Sequence, residues 1–120
     1  MGFIQLSMSD PARCEALRTL LARSTHVPVS SVESPDFEHA CVIVMDADRF
    51  SQLPTPLSRP EAIVLITRND PRHLREAWEA GVNSVLSEQD PLNTVVLAVL
   101  ATCLRSGSAK PKTVGGRDVI

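Results

Sequence analysis

Apolar and polar residues follow one another in regular blocks along the second half of the chain. The run Ala62–Ile66 is continuously apolar and rich in β-branched residues, which is typical of a parallel strand covered on both faces. Asp70 as a cap and Gly81 as a left-handed stop enclose a helical pattern. Val82–Ser87 predicts the next strand, and helical spacing over Leu92–Leu104 predicts a closing helix. Two such units in succession predict a doubly wound α/β sheet.

The first half of the chain predicts three more strands and one helix. An Asp-Pro pair opens this helix, as it opens the two later helices, because aspartate caps the first turn and proline presets its φ angle. A proline in the second strand restricts that strand to an edge of the sheet or to its own beginning. The strands are Phe3–Ser7, Val27–Val32 and Cys41–Met45, and the helix runs from Pro11 to about Ser24.

The connections on either side of the Cys41–Met45 strand are short of helix-forming residues. Parallel strands need a crossover of about a dozen residues or more. The segment Glu33–Ala40 has only about eight by that measure, and Pro35 interrupts it. The segment Ala47–Glu61 is longer but contains three prolines, which end helices. We therefore expect the second helix to be vestigial and the third to be short or replaced by a loop.

Composition and charge narrow the class of protein. A length of 120 residues indicates one domain, and a net charge of −2 gives no electrostatic case for nucleic-acid binding by this segment. No apolar run is long enough to span a membrane, and the first ten residues lack a targeting signal, so we expect a soluble, cytoplasmic protein. The odd cysteine count without CxxC spacing predicts free, buried thiols at Cys14, Cys41 and Cys103.

The last fifteen residues differ in composition from the rest of the chain. Residues 1–105 carry the strand and helix patterns, whereas Ser106–Ile120 contain glycine, serine, proline and three basic residues. This composition is typical of a flexible linker or tail. Two interpretations stay open, a linker to an output domain that follows in the natural protein and a simple frayed terminus.

Four segments of the chain resemble the receiver domain of bacterial response regulators. They are the strand VIVMD ending at Asp46, the strand VLIT ending at Thr67, the segment EAWEAGVNSVL and the closing helix DPLNTVVLAVL. The resemblance implies a flavodoxin-like, five-stranded parallel sheet in the order 2-1-3-4-5, here with its second and third helices reduced. It also implies a site at the carboxyl ends of the strands, where an aspartate accepts a phosphoryl group with the help of Mg²⁺.

The resemblance assigns a place in that site to individual residues. Asp46 takes the phosphoacceptor position, and Thr67 takes the position of the hydroxyl residue that moves on activation. The family's acidic pair falls on Met8 and Ser9, next to Asp10, its lysine falls on Glu88, and its switch aromatic falls on Val85.

These replacements remove the parts that phosphoryl transfer needs. Mg²⁺ prefers hard oxygen ligands, which the thioether of Met8 does not provide and the hydroxyl of Ser9 provides weakly. Glu88 brings negative charge to a place where a cation should neutralise developing charge. The substitution at Val85 removes the moving aromatic. The degenerate pocket of Met8, Ser9, Asp10 and Glu88 therefore predicts a pseudo-receiver without conventional phosphorylation and without a cofactor or metal.

Several alternatives stay open. The chain could be a conventional, Mg²⁺-dependent response regulator, with a transcriptional role among the options, that a kinase phosphorylates on Asp46. The carboxylates of Asp10, Asp46, Asp48 and Glu88 could instead converge on a cation. A small-molecule-binding flavodoxin-like domain or a hydrolase would need a phosphate-cradling loop after the first strand, and residues 7–11 contain no glycine.

No motif predicts an enzyme. The sequence has no GxGxxG, P-loop, GxSxG or HExxH pattern. The three histidines show no ligand spacing, and we expect His73 on the exposed face of its helix. Together with this absence, the resemblance implies an interaction module whose partner is a histidine kinase or an output protein.

The closing helix Pro91–Arg105 is apolar nearly all round, which is typical of a helix buried on more than one side. In a single layer over the sheet, the second side has to meet a partner. This pattern predicts an interface, most simply a two-fold homodimer. The interface residues are Leu97, Ala98, Ala101 and Leu104.

Overall fold

In a computed structural model of the protein, five parallel strands form one sheet in the order β2-β1-β3-β4-β5. The structure describes residues 2–53, 59–68, 70–82 and 84–108, with side chains as far as residue 105. The predicted sheet and strand order are confirmed, and β2 lies at an edge; it begins at Val29, directly after Pro28 and two residues later than predicted. The strands are β1 Phe3–Ser7, β2 Val29–Ser31, β3 Ala40–Asp46, β4 Ile63–Thr67 and β5 Ser84–Ser87.

In the described part of the chain, four α-helices accompany the sheet, and the two predicted to be weak are reduced as expected. Residues 32–39, between β2 and β3, contain no helix, and the helix after β3 has only four residues. A short 3-10 turn, Pro60–Ala62, precedes β4. The helices are α1 Pro11–Ser24, α2 Ala47–Phe50, α3 Pro71–Ala80 and α4 Leu92–Ser108.

Local cap residues set the ends of α1 and α3. The carboxylate of Asp10 accepts hydrogen bonds from the backbone N–H groups of Ala12 and Arg13, at 3.1 and 3.2 Å. Asp70 accepts from the backbone N–H of Arg72 at 3.0 Å. Gly81 ends α3 with a φ of 94°, a left-handed conformation that glycine adopts without steric cost.

The start of α4 differs from the other two Asp-Pro starts. The carboxylate of Asp90 accepts from the backbone N–H of Ser87 at 2.9 Å and thereby closes the turn after β5. The helix itself begins at Leu92, where the carbonyl of Pro91 accepts from the N–H of Thr94 at 3.0 Å. The Asp-Pro pair forms part of a tight turn here, instead of a helix cap, because β5 ends only three residues before Asp90.

Apolar side chains fill both faces of the sheet. The first face is packed against α1 and α4, and the second face is packed against α2, α3 and the loops around them. The buried strand residues of the first face are Ile4, Leu6, Cys41, Val42, Val44, Val64 and Ile66. Those of the second face are Ala40, Ile43, Met45, Ile63 and Leu65.

The structure contains a disulfide between Cys41 and Cys103, so the prediction of free thiols is wrong for these two residues. Cys41 is on β3 and Cys103 is on α4, and packing of α4 over the first face brings their Cα atoms to 4.8 Å. They are 62 residues apart in sequence, and no local spacing indicates such a pairing. Cys14 is a free, buried thiol, as predicted.

The last helix extends further than the sequence pattern indicates. α4 continues to Ser108, three residues beyond the predicted end of the folded region at residue 105. The rest of the predicted linker or tail, residues 109–120, lies outside the described residues. Within the described part of the chain, no helix combines the length and apolar character needed to cross a membrane.

Candidate functional site

A polar cavity of about 180 Å³ lies at the carboxyl ends of β1, β3 and β4. This is the edge of an open parallel sheet at which ligands generally bind. The structure brings Met8, Ser9, Asp10, Asp46 and Glu88 together here, as the sequence analysis proposed. The full lining is Met8, Ser9, Asp10, Arg13, Asp46, Ala47, Asp48, Ile66, Arg68, His73 and Glu88.

Both carboxylate oxygens of Asp46 already have hydrogen-bond donors. Oδ2 accepts from the backbone N–H and from the hydroxyl of Ser9, each at 2.6 Å. Oδ1 accepts from the backbone N–H of Arg49 at 3.1 Å and thereby caps α2. The side chain is 8% exposed. Asp46 is therefore a buried carboxylate with hydrogen bonds at both oxygens, and it connects the loop after β1 to the start of α2.

Ser9 connects two carboxylates of the cavity. Its hydroxyl oxygen is 2.6 Å from Asp46 Oδ2 and 3.3 Å from Asp48 Oδ2, so the shorter contact receives the single hydroxyl proton. Met8, its neighbour, is buried in the apolar cluster of the first face. Neither residue offers the charged oxygen that a metal ion would need at this position.

Among the described residues, the carboxylates of the cavity do not form a compact group of three metal ligands. Mg²⁺ requires near-octahedral geometry and usually includes carboxylate ligands. Among the described residues, one group of potential ligand atoms lies within 4.8 Å of one another, formed by Asp36, Glu38 and His39. It precedes β3 at the amino ends of the strands, opposite the cavity. In that group, the His39 side chain lowers the pKa of Asp36, with which it is hydrogen bonded at 2.9 Å.

Thr67 and His73 form a contact beside the cavity. The Thr67 hydroxyl, 2% exposed, donates to the carbonyl of Arg68 at 3.1 Å and lies 3.3 Å from His73 Nδ1. The expectation that His73 lies on an exposed face is wrong, because it is half-buried and lines the cavity. The first turn of α3 follows the carboxyl end of β4, so the inner side of that turn faces the site.

Two arginines supply positive charge to the cavity. Arg68 Nε is 3.7 Å from Glu88 Oε1, and Arg13 donates through Nη1 to the backbone carbonyl of Glu88 at 2.9 Å. Glu88 thus pairs with Arg68 across the ends of β4 and β5. The sequence analysis missed Arg13, Arg68 and His73. Their positions in the predicted elements could have indicated them. Arg68 directly follows a strand, and the other two lie in first helical turns at the same edge of the sheet.

The cavity does not contain the hydrogen bond typical of a serine hydrolase. Such enzymes activate the serine through a histidine. Among the contacts described, the hydroxyl of Ser9 bonds to carboxylates, and the ring nitrogen of His73 contacts Thr67. The arrangement therefore gives the hydrolase alternative no support.

The remaining predicted residues lie away from the cavity. Val85 is half-buried on β5 and packs against the apolar cluster of the second face. On α4, Leu97 is 69% exposed and Leu104 is 73% exposed, with exposed Ala101 between them in sequence. Ala98 is half-buried and packs against the first face. The outer side of α4 is therefore an apolar stripe.

Comparison with known proteins identifies the fold. No protein-family model matches the sequence, and a comparison with curated proteins gave no significant match. Among solved structures, the receiver domain of Nitrogen Regulatory Protein C superposes with a TM-score of 0.64 at 14% identity, over 87% of this chain and 95% of that one. The chain has a receiver-domain fold.

Two further structures share this receiver-domain fold with the chain. Adenylate cyclase from Rhodopirellula baltica superposes with a TM-score of 0.67 at 17% identity, over 91% of this chain and 93% of that one. Full-length FixJ from B. japonicum superposes with a TM-score of 0.57 at 15% identity, over 90% of this chain and 60% of that one. At these identities the likeness establishes the architecture alone.

Proposed function

We propose that the protein is a degenerate receiver domain that signals through protein contacts in the bacterial cytoplasm, without Mg²⁺-dependent phosphorylation of Asp46. The observation that carries this proposal is the set of three hydrogen bonds to the Asp46 carboxylate, two of them from Ser9. Its partners are a histidine kinase or an output protein, and a second copy of the chain.

Those hydrogen bonds oppose phosphoryl transfer in a direct way. An attacking carboxylate oxygen has to expose a lone pair to phosphorus, and hydrogen bonds to a charged group contribute about 1.5–3 kcal/mol each. Attack through Oδ2 would cost both contacts with Ser9, and attack through Oδ1 would compete with the hydrogen bond that caps α2. Met8 and Ser9, which the resemblance puts in the places of the family's metal-binding carboxylates, offer no charged oxygen to a metal ion that would compensate for the loss. The carboxylate of Asp46 instead serves the local structure.

A second candidate function rests on the two arginines. The guanidinium groups of Arg13 and Arg68 lie in the same cavity as Asp46 and could neutralise a phosphoryl group there. In this alternative, Asp46 is the phosphoacceptor of a conventional two-component response regulator. The alternative requires Ser9 to release Asp46 and requires Mg²⁺ to bind among the carboxylates of the cavity, whose oxygen atoms do not form a group of three within 4.8 Å of one another.

Amide NMR spectra recorded during titration with Mg²⁺ and then beryllofluoride, a stable mimic of aspartyl phosphate, separate the two candidates. We expect no shifts at Ser9, Asp46 or Thr67 at millimolar concentrations. The matched control is the double variant Ser9→Asp, Glu88→Lys, which restores a carboxylate and a cation and should gain shifts there. Wild-type shifts that Asp46→Asn abolishes would establish the conventional reading instead.

The apolar stripe on α4 supports the second part of the proposal. Leu97, Ala101 and Leu104 are spaced i, i+4 and i+7, which places them on one side of the helix. We propose that two copies pack α4 against α4 about a two-fold axis, with Ala98 at the edge of the contact. A stripe of this kind on a surface helix marks an interaction site.

Light scattering coupled to size-exclusion chromatography tests the dimer. We expect the wild-type protein to have the mass of two chains and Leu97→Glu to have the mass of one, because a buried carboxylate in the interface has no partner. Ala22→Glu adds the same charge to an exposed position of α1 and should leave the mass unchanged. A wild-type mass of one chain at micromolar concentrations would refute this part of the proposal.

A further inference from the structure

Ser9 combines an exposed position with a hydroxyl that is hydrogen bonded to a carboxylate. The residue is exposed and lines the cavity, and its hydroxyl donates to Asp46 Oδ2 at 2.6 Å. Its backbone N–H donates to the same oxygen at 2.6 Å and fixes its position relative to Asp46. A carboxylate at this distance is within reach of the hydroxyl proton, as a general base must be. The pair therefore has the geometry of a nucleophile and its base.

The two side chains of this pair differ in burial. Asp46 is 8% exposed and both of its oxygens accept hydrogen bonds, whereas Ser9 is exposed and gives up its proton along one of those bonds. Within the described part of the chain, Ser9 is the hydroxyl residue that contacts a carboxylate side chain. An electrophile that enters the cavity therefore meets the serine oxygen more readily than the carboxylate oxygens behind it.

Two guanidinium groups supply positive charge to the cavity that Ser9 lines. Arg13 donates through Nη1 to the carbonyl of Glu88, and this bond uses one of the five N–H donors of a guanidinium group. The Arg68 side chain is 80% exposed. Guanidinium groups match the geometry of phosphoryl oxygens and remain charged at every working pH. They can therefore neutralise the charge that develops on a transferred phosphoryl group.

The carboxylates of the cavity oppose a phosphoryl group to different extents. Asp10 accepts from backbone N–H groups at the start of α1, and Glu88 is paired with a guanidinium group, so both charges are partly compensated. Asp48 Oδ2 lies 3.3 Å from the Ser9 hydroxyl oxygen, whose proton is directed elsewhere. Asp48 is exposed, so solvent screens its charge. It is the carboxylate that should slow a transfer to Ser9 without preventing it.

We infer that Ser9 is the phosphoryl acceptor of this cavity, with Asp46 as its general base and a phosphoramidate as the donor. A phosphohistidine is a phosphoramidate, so the histidine kinase of the proposed function, on which the inference rests, would present this chemistry. The inference adds a modification to that function and keeps Asp46 itself unphosphorylated.

The transfer is one balanced displacement. Ser9 Oγ attacks phosphorus and forms the new P–O bond while the P–N bond of the donor breaks. The hydroxyl proton passes to Asp46 Oδ2 and then to solvent, and the leaving nitrogen takes the electron pair and a proton from solvent. The phosphate ester brings a charge of about −1.5 to −2 beside Asp46 and Asp48. We expect this repulsion to separate the loop after β1 from the start of α2.

Incubation of the whole chain with phosphoramidate, followed by intact mass spectrometry, tests the inference. A metal chelator is present throughout, because the proposed step uses no metal ion. Phosphoserine survives both acid and hydroxylamine, whereas phosphohistidine is lost in acid and aspartyl phosphate is cleaved by hydroxylamine. We expect one phosphoryl group that resists both treatments, and peptide fragmentation should locate it on Ser9.

Four variants make the test specific, each checked for a folded amide NMR spectrum. Ser9→Ala should lose the label, and Ser9→Thr, which keeps a hydroxyl, should carry it at the same position. Asp46→Asn should lower the labelling rate at least about a hundredfold, since the base is lost. Asp48→Asn should raise the rate about fivefold, since it removes the opposing charge. The matched control is Ser24→Ala, whose hydroxyl bonds to the Leu20 carbonyl at 2.8 Å, and its rate should equal that of the wild type.

The possible failures are distinguishable from one another. An unlabelled wild-type protein, or an equal labelling rate in Asp46→Asn, would overturn the inference and leave the proposed function standing. A resistant label that remains in Ser9→Ala would do the same. A hydroxylamine-sensitive label that Asp46→Asn abolishes would overturn both, because Asp46 would then be the acceptor.

Discussion

The two faces of the sheet are covered by helices of different length. The first face is covered by α1 and α4, which have 14 and 17 residues, and the disulfide links α4 to it. The second face is covered by α3, with 10 residues, and α2, with four. The fold therefore persists when one face keeps two long helices and the other is trimmed to short elements. The cavity borders the trimmed elements, since Asp46 directly precedes α2.

The largest difference in stability between the two faces should appear when the same buried side chain is shortened on each face. Leu6 on β1 and Leu65 on β4 are equally buried, on the first and second face respectively. We expect Leu6→Ala to lower the free energy of unfolding by about 4 kcal/mol and Leu65→Ala by about 2.5 kcal/mol. The loss is smaller on the second face because its shorter helices can move into the space that the removed side chain leaves. Denaturant titration measures both values. Equal losses would contradict the comparison.

Substitutions at the ends of the covering helices should show a smaller difference in the free energy of unfolding. Gly81 ends α3 at a φ of 94°, and a Cβ there would lie 3.1 Å from Pro60 Cγ. We expect Gly81→Ala to lower the free energy of unfolding by about 1–2 kcal/mol, because alanine is strained in this conformation.

The control for Gly81→Ala is at the end of α1, on the first face. Thr25 there has an extended φ of −148°, and its hydroxyl oxygen accepts from the N–H of Val27 at 3.1 Å. Thr25→Ala should therefore cost less, about 0.5–1 kcal/mol from the lost hydrogen bond. Chemical denaturation at one pH compares the two variants, and the reverse ranking would count against the interpretation.

The smallest expected effect is a pH dependence at the start of α3. The backbone N–H of Arg72 lowers the pKa of Asp70 from its ordinary value of 3.8. A lowered folded-state pKa means that this contribution is complete above the unfolded value and is lost as the pH falls through the folded value. Asp70→Asn keeps a capping oxygen without the titration, so its denaturation midpoint should depend less on pH between about 5 and 2. Identical pH profiles would contradict this assignment.

Local signals in the sequence predicted most of the fold. The Asp-Pro starts at α1 and α3, the left-handed stop at Gly81 and the β-branched run of β4 are each decided by neighbouring residues, and the structure confirms them. The prolines around α2 likewise predicted the thin second face. Asp90 shows the limit of such signals, because the same dipeptide closes a turn when a strand ends just before it.

Contacts between distant segments escaped the sequence analysis. The disulfide joins residues 62 positions apart, and the pairing of Glu88 with Arg68 and Arg13 depends on three loops meeting at one edge. Charge alone did not reveal these arginines, since surface arginines are common throughout the chain. The hydrogen bonds from Ser9 to Asp46 require the ends of β1 and β3 to lie side by side. The register of these two parallel strands determines this alignment.

The composition of the first face has a consequence for the synthesis of the protein. Its apolar cluster combines β1 and α1, which leave the ribosome before the other described elements, with α4, which leaves after them. A nascent chain that stops short of α4 therefore exposes the apolar sides of β1 and β3 to solvent. We expect this domain to complete its core only after α4 has left the ribosome, and to depend on chaperones until then.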